Sequence, residues 1–174
     1  MPLPLYHMGP GILAKALLRS YFSLVVFGWT QILMDIQPLV AILSGSGEHH
    51  GMIHTLVGAT VLGAGAAVTG KYIVDAGSDL LPERWRPRDR MPWRVAFLSA
   101  LTGSYTHVAL DAFAHPDVMP WWPFSESNQL YGHVSDGALL TFCVLSGVIG
   151  TVLYVTVSYA RARPRKRVRR SADD

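Results

Sequence analysis

Gly137-Ala-Leu-Leu-Thr-Phe-Cys-Val-Leu-Ser-Gly-Val-Ile-Gly-Thr-Val-Leu-Tyr-Val-Thr-Val-Ser-Tyr-Ala160 contains no charged residue. A helix needs about 20 mostly apolar residues to cross the roughly 30 Å hydrocarbon core of a bilayer. This stretch therefore predicts a transmembrane helix, and Ser146 and Gly150 give it a small-xxx-small face suited to close helix packing. Moving toward the amino terminus, residues 95–114 form a second candidate span, interrupted only by His107 and Asp111. Residues 52–74 form a third, dense in glycine at Gly58, Gly63, Gly65 and Gly70. The chain is half hydrophobic and 16% charged, with a mean hydropathy of +0.26, which lies on the membrane side of ordinary globular usage.

Residues 12–34 are also apolar, but Lys15 and Arg19 fall inside that run. We read two shorter helices there, 11–18 and 20–36, with Ser20 as the N-cap of the second. At about 1.5 Å per residue the first covers only about half the bilayer. That predicts a re-entrant hairpin, with a fourth span as the alternative. The hairpin returns Asp35 to the level of His7, which one straight helix would hold about 35–40 Å away. The expected fold is an all-α membrane protein, a bundle of about three transmembrane helices plus this hairpin. Residues 1–160 form one membrane-embedded domain and 161–174 a basic tail.

Charge sets the expected orientation. No Lys or Arg occurs between Arg19 and Lys71, or between Arg94 and Arg161. The basic residues gather at the Lys15/Arg19 turn, in a proline-rich loop over 71–94 with Arg84, Arg86, Arg88 and Arg90, and in the tail. Basic loops stay in the cytoplasm, so all three are expected inside the inner membrane, the tail as an anchor on anionic lipid rather than a nucleic-acid contact. No nucleic-acid partner is expected, and the oligomeric state is left open. No cleaved secretory leader is expected, because the amino terminus lacks its basic start and small-residue cleavage site. Cys143, alone in an apolar run, reads as a buried small hydrophobe.

The ionisable residues left in the apolar runs carry the chemistry. His107, Asp111 and His115 recur every four residues, along one face of a helix. His50 and His54 repeat that spacing before another run, and Asp35 closes a third. Ionisable groups beside membrane sequence are costly and mark function, and imidazole with carboxylate is what a divalent transition metal binds. The topology places His50, His54, His107, Asp111, His115 and Asp35 together at the outer helix ends. Asp35, His54, His107, Asp111 and His7 are the expected metal ligands, zinc the expected ion, and His50 and His115 the expected catalytic or proton-transfer groups. His49 reads as the weaker member of its dipeptide, and His133 with Asp136 as a weaker pair. The segment from Trp121 to Ser125 reads as an interfacial anchor. No Gly-x-Ser-x-Gly motif, phosphate-binding glycine loop or Cys/His pair competes.

Leu33-Met-Asp35-Ile-Gln-Pro, His50-Gly-Met-Ile-His54-Thr55 and Ser104-Tyr-Thr-His107-Val-Ala-Leu-Asp111, with Pro120-Trp-Trp-Pro-Phe-Ser125 following, resemble the YdjM-type family. These are inner-membrane proteins described as metal-dependent hydrolases. The opening His7-Met-Gly-Pro-Gly is similar to members as well, so the likeness covers residues 7 to 125. It implies metal-site roles for Asp35, His54, His107 and Asp111. The more familiar family form, His-Arg-Gly-x-Thr-His-Ser, is His49-His50-Gly-Met-Ile-His54-Thr55 here, which leaves open whether His49 or His50 is the functional partner. Gln37 stands where Pro-Asp-Ile-Asp carries a second carboxylate, which counts against a two-metal site. The order of His and Asp also resembles zinc-dependent phospholipase C and implies phosphoesters. The expected function is hydrolysis of an ester or phosphoester, with lipid among the expected substrates, at the outer face of the membrane through a metal-activated water. The rival is a non-enzymatic membrane protein using the same residues for metal, protons or helix packing.

Overall fold

The computed structural model describes residues 4–45 and 51–162. His49, His50 and the tail from 163 onward lie outside the described residues. Five helices follow one another without a strand among the described residues: α1 (Pro4–Leu18), α2 (Leu24–Ser44), α3 (Leu56–Asp79), α4 (Trp93–Ala114) and α5 (Asp136–Ala162).

The expected reversal after α1 is present, and its chemistry is local. Arg19 adopts the left-handed conformation at φ 50°, uncommon for a residue with a Cβ. Lys15 Nζ donates to the carbonyls of Arg19 and Phe22, both at 2.7 Å, tying the turn back onto α1. The N-cap of α2 is Ser23, which accepts from Val26 N at 3.3 Å, and not Ser20. Ser20 falls within the short 3-10 turn Arg19–Tyr21 that closes the reversal. α2 also runs beyond the expected end at residue 36, through Pro38, and stops at Gly45 in the left-handed conformation. Asp35 therefore does not close its helix. It sits about two and a half turns before the end.

Among the described residues, three helices are long and apolar enough to cross a membrane: Leu24–Ser44, Leu56–Asp79 and Asp136–Ala162. The expected set had residues 95–114 in place of α2. The exchange follows from composition. α4 packs against both α2 and α3 and carries Ser99, Ser104, His107 and Asp111 in its buried face, which lowers its mean hydropathy, while Phe97 and Leu98 remain exposed on the other. α5 does the opposite, with Phe142, Leu145, Val148 and Val152 all more than half exposed. The expected loop 71–94 begins later than the charges suggested. α3 continues to Asp79 because Lys71 is neutralised one turn on by Asp75 and lies 5.2 Å from the Trp93 ring.

α1 packs along α5, and α2, α3 and α4 pack on one another. The α1–α5 seam is backbone against backbone. A Cβ on Gly150 would come within 2.6 Å of Leu13 N, and one on Gly9 would run into the Cys143 carbonyl. Small residues at such seams let helices without a hydrophobic drive between them associate in lipid. The expected face of Ser146 and Gly150 is this seam, and both residues are buried.

Candidate metal centre

Arg94 and Asp111 stand near the two ends of α4, about 25 Å apart along the helix axis. The Arg94 guanidinium lies over Tyr21, and Arg19 lies over Tyr154 and donates to Ser158 at 3.0 Å. These contacts gather the basic residues at one end of the bundle. At the other end four elements bring imidazoles and carboxylates together. α4 supplies His107 and Asp111, one turn apart on one face, with Nε2 3.1 Å from Oδ2. α1 supplies His7, whose Nε2 is 3.5 Å from Asp111 Oδ1. The short 3-10 turn Met52–His54 ahead of α3 supplies His54, whose Nε2 is 3.6 Å from Asp111 Oδ2. α2 supplies Asp35, whose Oδ1 is 3.7 Å from His107 Nε2.

The local reasons are visible in the chain. Thr55 caps α3 by accepting from Gly58 N at 2.9 Å, and Leu56 N donates to Pro120 O at 2.9 Å. The first fixes the start of α3 just after His54, and the second holds that turn against the segment that leaves α4. The hairpin carries His7 to Asp35, and their ligand atoms, with one from His107, lie within 4.8 Å of one another. His54, His107 and Asp111 form a second such group. The two groups share His107, so all five residues surround one region.

That region is enclosed. His7 is 3% exposed, His54 and His107 0%, and Asp111 4%, whereas the Asp35 side chain is 28% exposed. Buried carboxylates without counter-charge are expensive. Two carboxylates among neutral imidazoles carry a charge of about −2, which a divalent cation cancels. Nitrogen and oxygen donors bonded to zinc at 2.0–2.2 Å in a tetrahedron stand roughly 3.3–3.6 Å apart; the four His–Asp pairs above stand 3.1 to 3.7 Å apart, within groups whose ligand atoms all lie within 4.8 Å of one another. The donor set fits such an ion.

Not every expected residue joins. His115 is the C-cap of α4, in extended geometry at φ −125° and ψ 128°, and belongs to neither group. The following Pro116 disfavours helical geometry at residue 115, so the four-residue spacing stops being a helical face there. Its carbonyl instead accepts from Asn128 at 2.9 Å. His133 is exposed, as is Asp136 at the start of α5, and neither enters the groups. His50, expected one turn before His54, lies outside the described residues. Phe124 is 88% exposed in the segment expected to anchor at the interface.

One participant went unread in the sequence. Gln31 is 1% exposed, its Oε1 lies 2.7 Å from His107 Nδ1, and its Nε2 donates to Gly103 O at 3.1 Å. The available signal was position: Gln31 stands one turn before Asp35, on the same face of an otherwise apolar helix.

No match was found among curated proteins or among solved structures. The pattern of the YdjM inner membrane protein family matches residues 12–169, a span that includes Asp35, His54, His107 and Asp111 and leaves His7 outside. With most of its length matched and three helices apolar enough to cross a membrane, the chain belongs to the YdjM inner membrane protein family.

Proposed function

We propose that this protein is a membrane-bound, metal-dependent hydrolase acting on an ester or phosphoester at the outer face of the inner membrane. The observation that carries the reading is convergence: five His and Asp residues from four elements meet at the end of the bundle opposite its basic residues. By the positive-inside rule the basic end, with the carboxy-terminal tail, is cytoplasmic and the cluster faces outward. His7, His54, His107 and Asp111 hold the ion, for which zinc suits the nitrogen and oxygen donors. Such an ion, when bound, supplies Lewis acidity toward water and toward an ester or phosphoryl oxygen. Asp35, at the exposed edge, is the group placed to complete the shell or to take a proton from the attacking water. His115, off the helix end, is placed for substrate rather than for the ion.

The substrate we propose is presented by membrane lipid. A cleft of about 440 Å³ lies between α1, α4 and α5, lined by Pro10, Leu110, Phe113, Leu139 and Phe142 among others. Pro10 stands one turn from His7, and Leu110 is next to Asp111. The cleft contains no residue of the cluster but lies at the same level of α1 and α4, and an apolar cleft at that level suits a molecule with a hydrocarbon part and a hydrolysable head.

The donor count favours a second reading. Five protein donors can fill the coordination shell and leave no position for water, in which case the protein holds the ion without hydrolysis. Metal analysis of purified protein, followed by turnover of a chromogenic phosphodiester and of labelled lipid, separates the two. The hydrolase reading expects about one ion per chain and turnover that a chelator removes and Zn²⁺ restores. Stoichiometric metal with no turnover of any ester or phosphoester would leave the non-enzymatic reading standing.

A further inference from the structure

The hydrogen bonds of Gln31 fix their own direction. Its Nε2 faces the Gly103 carbonyl at 3.1 Å and its Oε1 faces His107 Nδ1 at 2.7 Å. A carbonyl oxygen can only accept, so the amide nitrogen must be the atom at Gly103 and the amide oxygen the atom at His107. The amide oxygen likewise only accepts. His107 therefore carries a proton on Nδ1, and in the neutral ring the lone pair is on Nε2, the atom 3.1 Å from Asp111 and 3.7 Å from Asp35.

We propose that Gln31 is a positioning residue of the metal centre: its amide selects the His107 tautomer and ring orientation in which Nε2 faces the ion. The proposal rests on the metal reading of the cluster. Gly103 is one turn before His107 on α4, so Gln31 grips the helix segment that carries the ligand at two points. The fit is close on the far side as well, since a Cβ on Gly103 would lie 3.1 Å from Thr30 Cβ and 3.4 Å from Gln31 Nε2. Thr30 does not compete for the imidazole, because its hydroxyl donates to Val26 O. Histidines that bind metals through one nitrogen almost always donate the other N–H to a fixed acceptor. A neutral amide does this without adding charge, so the balance of the centre is left to Asp35 and Asp111.

The full-length protein, stripped by chelation and titrated with Zn²⁺ against a competing chromogenic chelator, tests this in wild type, Gln31→Met and Gln31→Glu. Losing such a hydrogen-bond partner weakens metal binding by about 10–100-fold, and Gln31→Met should fall in that range. Gln31→Glu keeps an acceptor for the Nδ1 proton but sets a carboxylate oxygen against the Gly103 carbonyl, so it should recover part of the affinity and still bind more tightly than Gln31→Met. A side chain that merely fills space predicts the reverse order, because Met conserves the volume and Glu buries a charge. ¹⁵N NMR of the metal-free wild type gives a reading that needs no variant to fold, and should find His107 protonated on Nδ1. A proton on Nε2 instead, or wild-type affinity in Gln31→Met, overturns the proposal. Wild type that takes up no Zn²⁺ sinks the metal reading itself, a separate result because the tautomer is measured without metal.

Discussion

Asp111 holds the candidate centre together. Its two carboxylate oxygens reach His7, His54 and His107 at 3.5, 3.6 and 3.1 Å, so one side chain joins three elements. Asp111→Asn keeps the shape and removes the charge, and should lower Zn²⁺ affinity by more than the roughly 10–100-fold typical of a partner behind the ligands. Asp111→Ala should do the same while both variants still insert, since insertion depends on the apolar spans. Elemental analysis of the purified membrane protein checks it, and stoichiometric metal in the Asn variant would make Asp111 a hydrogen-bonding residue only. The same physics governs what was legible. Asp35, His54, His107 and Asp111 stand out because charge in apolar sequence has a high cost and needs a reason. Gln31 is uncharged and raises no such alarm, so its role appears only with His107 beside it. His115 leaves the helical face at Pro116, so its four-residue spacing from Asp111 does not by itself join it to the ligands, and its expected role in catalysis or proton transfer rests on other grounds.

At the level of elements, α1 is too short to cross the bilayer alone, and its place is set by the seam with α5. Gly150 faces Leu13 N at a separation that admits no Cβ. Gly150→Leu should force the helices apart, at a cost of about 1–3 kcal/mol by analogy with overpacked cores, and should move His7 with α1. We expect a lower unfolding temperature in detergent together with weaker Zn²⁺ binding. Gly65→Leu is the control, because a Cβ there meets nothing within 4 Å, and it should leave both measurements unchanged. A Gly150→Leu variant with wild-type metal affinity would detach His7 from the site. The hairpin itself was legible because Lys15 and Arg19 cannot sit inside a span without a turn. The length of α2 was not, nor how much of α4 its neighbours cover. Apolar sequence does not distinguish a helix facing lipid, such as α5, from one whose polar residues are absorbed by neighbours, such as α4.

For the whole molecule, orientation decides which solution the centre meets. The basic end carries Lys15, Arg19, the loop between α3 and α4, and Arg161 in the last turn of α5, and the cluster end has no Lys or Arg between Arg94 and Arg161 to pull it inward. Positive residues are retained on the cytoplasmic side, and the roughly 25 Å of α4 between Arg94 and Asp111 is most of the hydrocarbon thickness. On the proposed orientation the two ends lie at opposite faces. Single cysteines at Arg88 and Ser127, in a background with the buried Cys143 replaced by Ala, read this directly. In intact cells a membrane-impermeant maleimide should label Ser127→Cys, and should reach Arg88→Cys only after permeabilisation. The reverse pattern would put His7, His54, His107, Asp111 and Asp35 on the cytoplasmic side. The centre would then meet soluble metabolites and inner-leaflet headgroups, and the proposed outer-face substrate would have to be abandoned even if the metal remained.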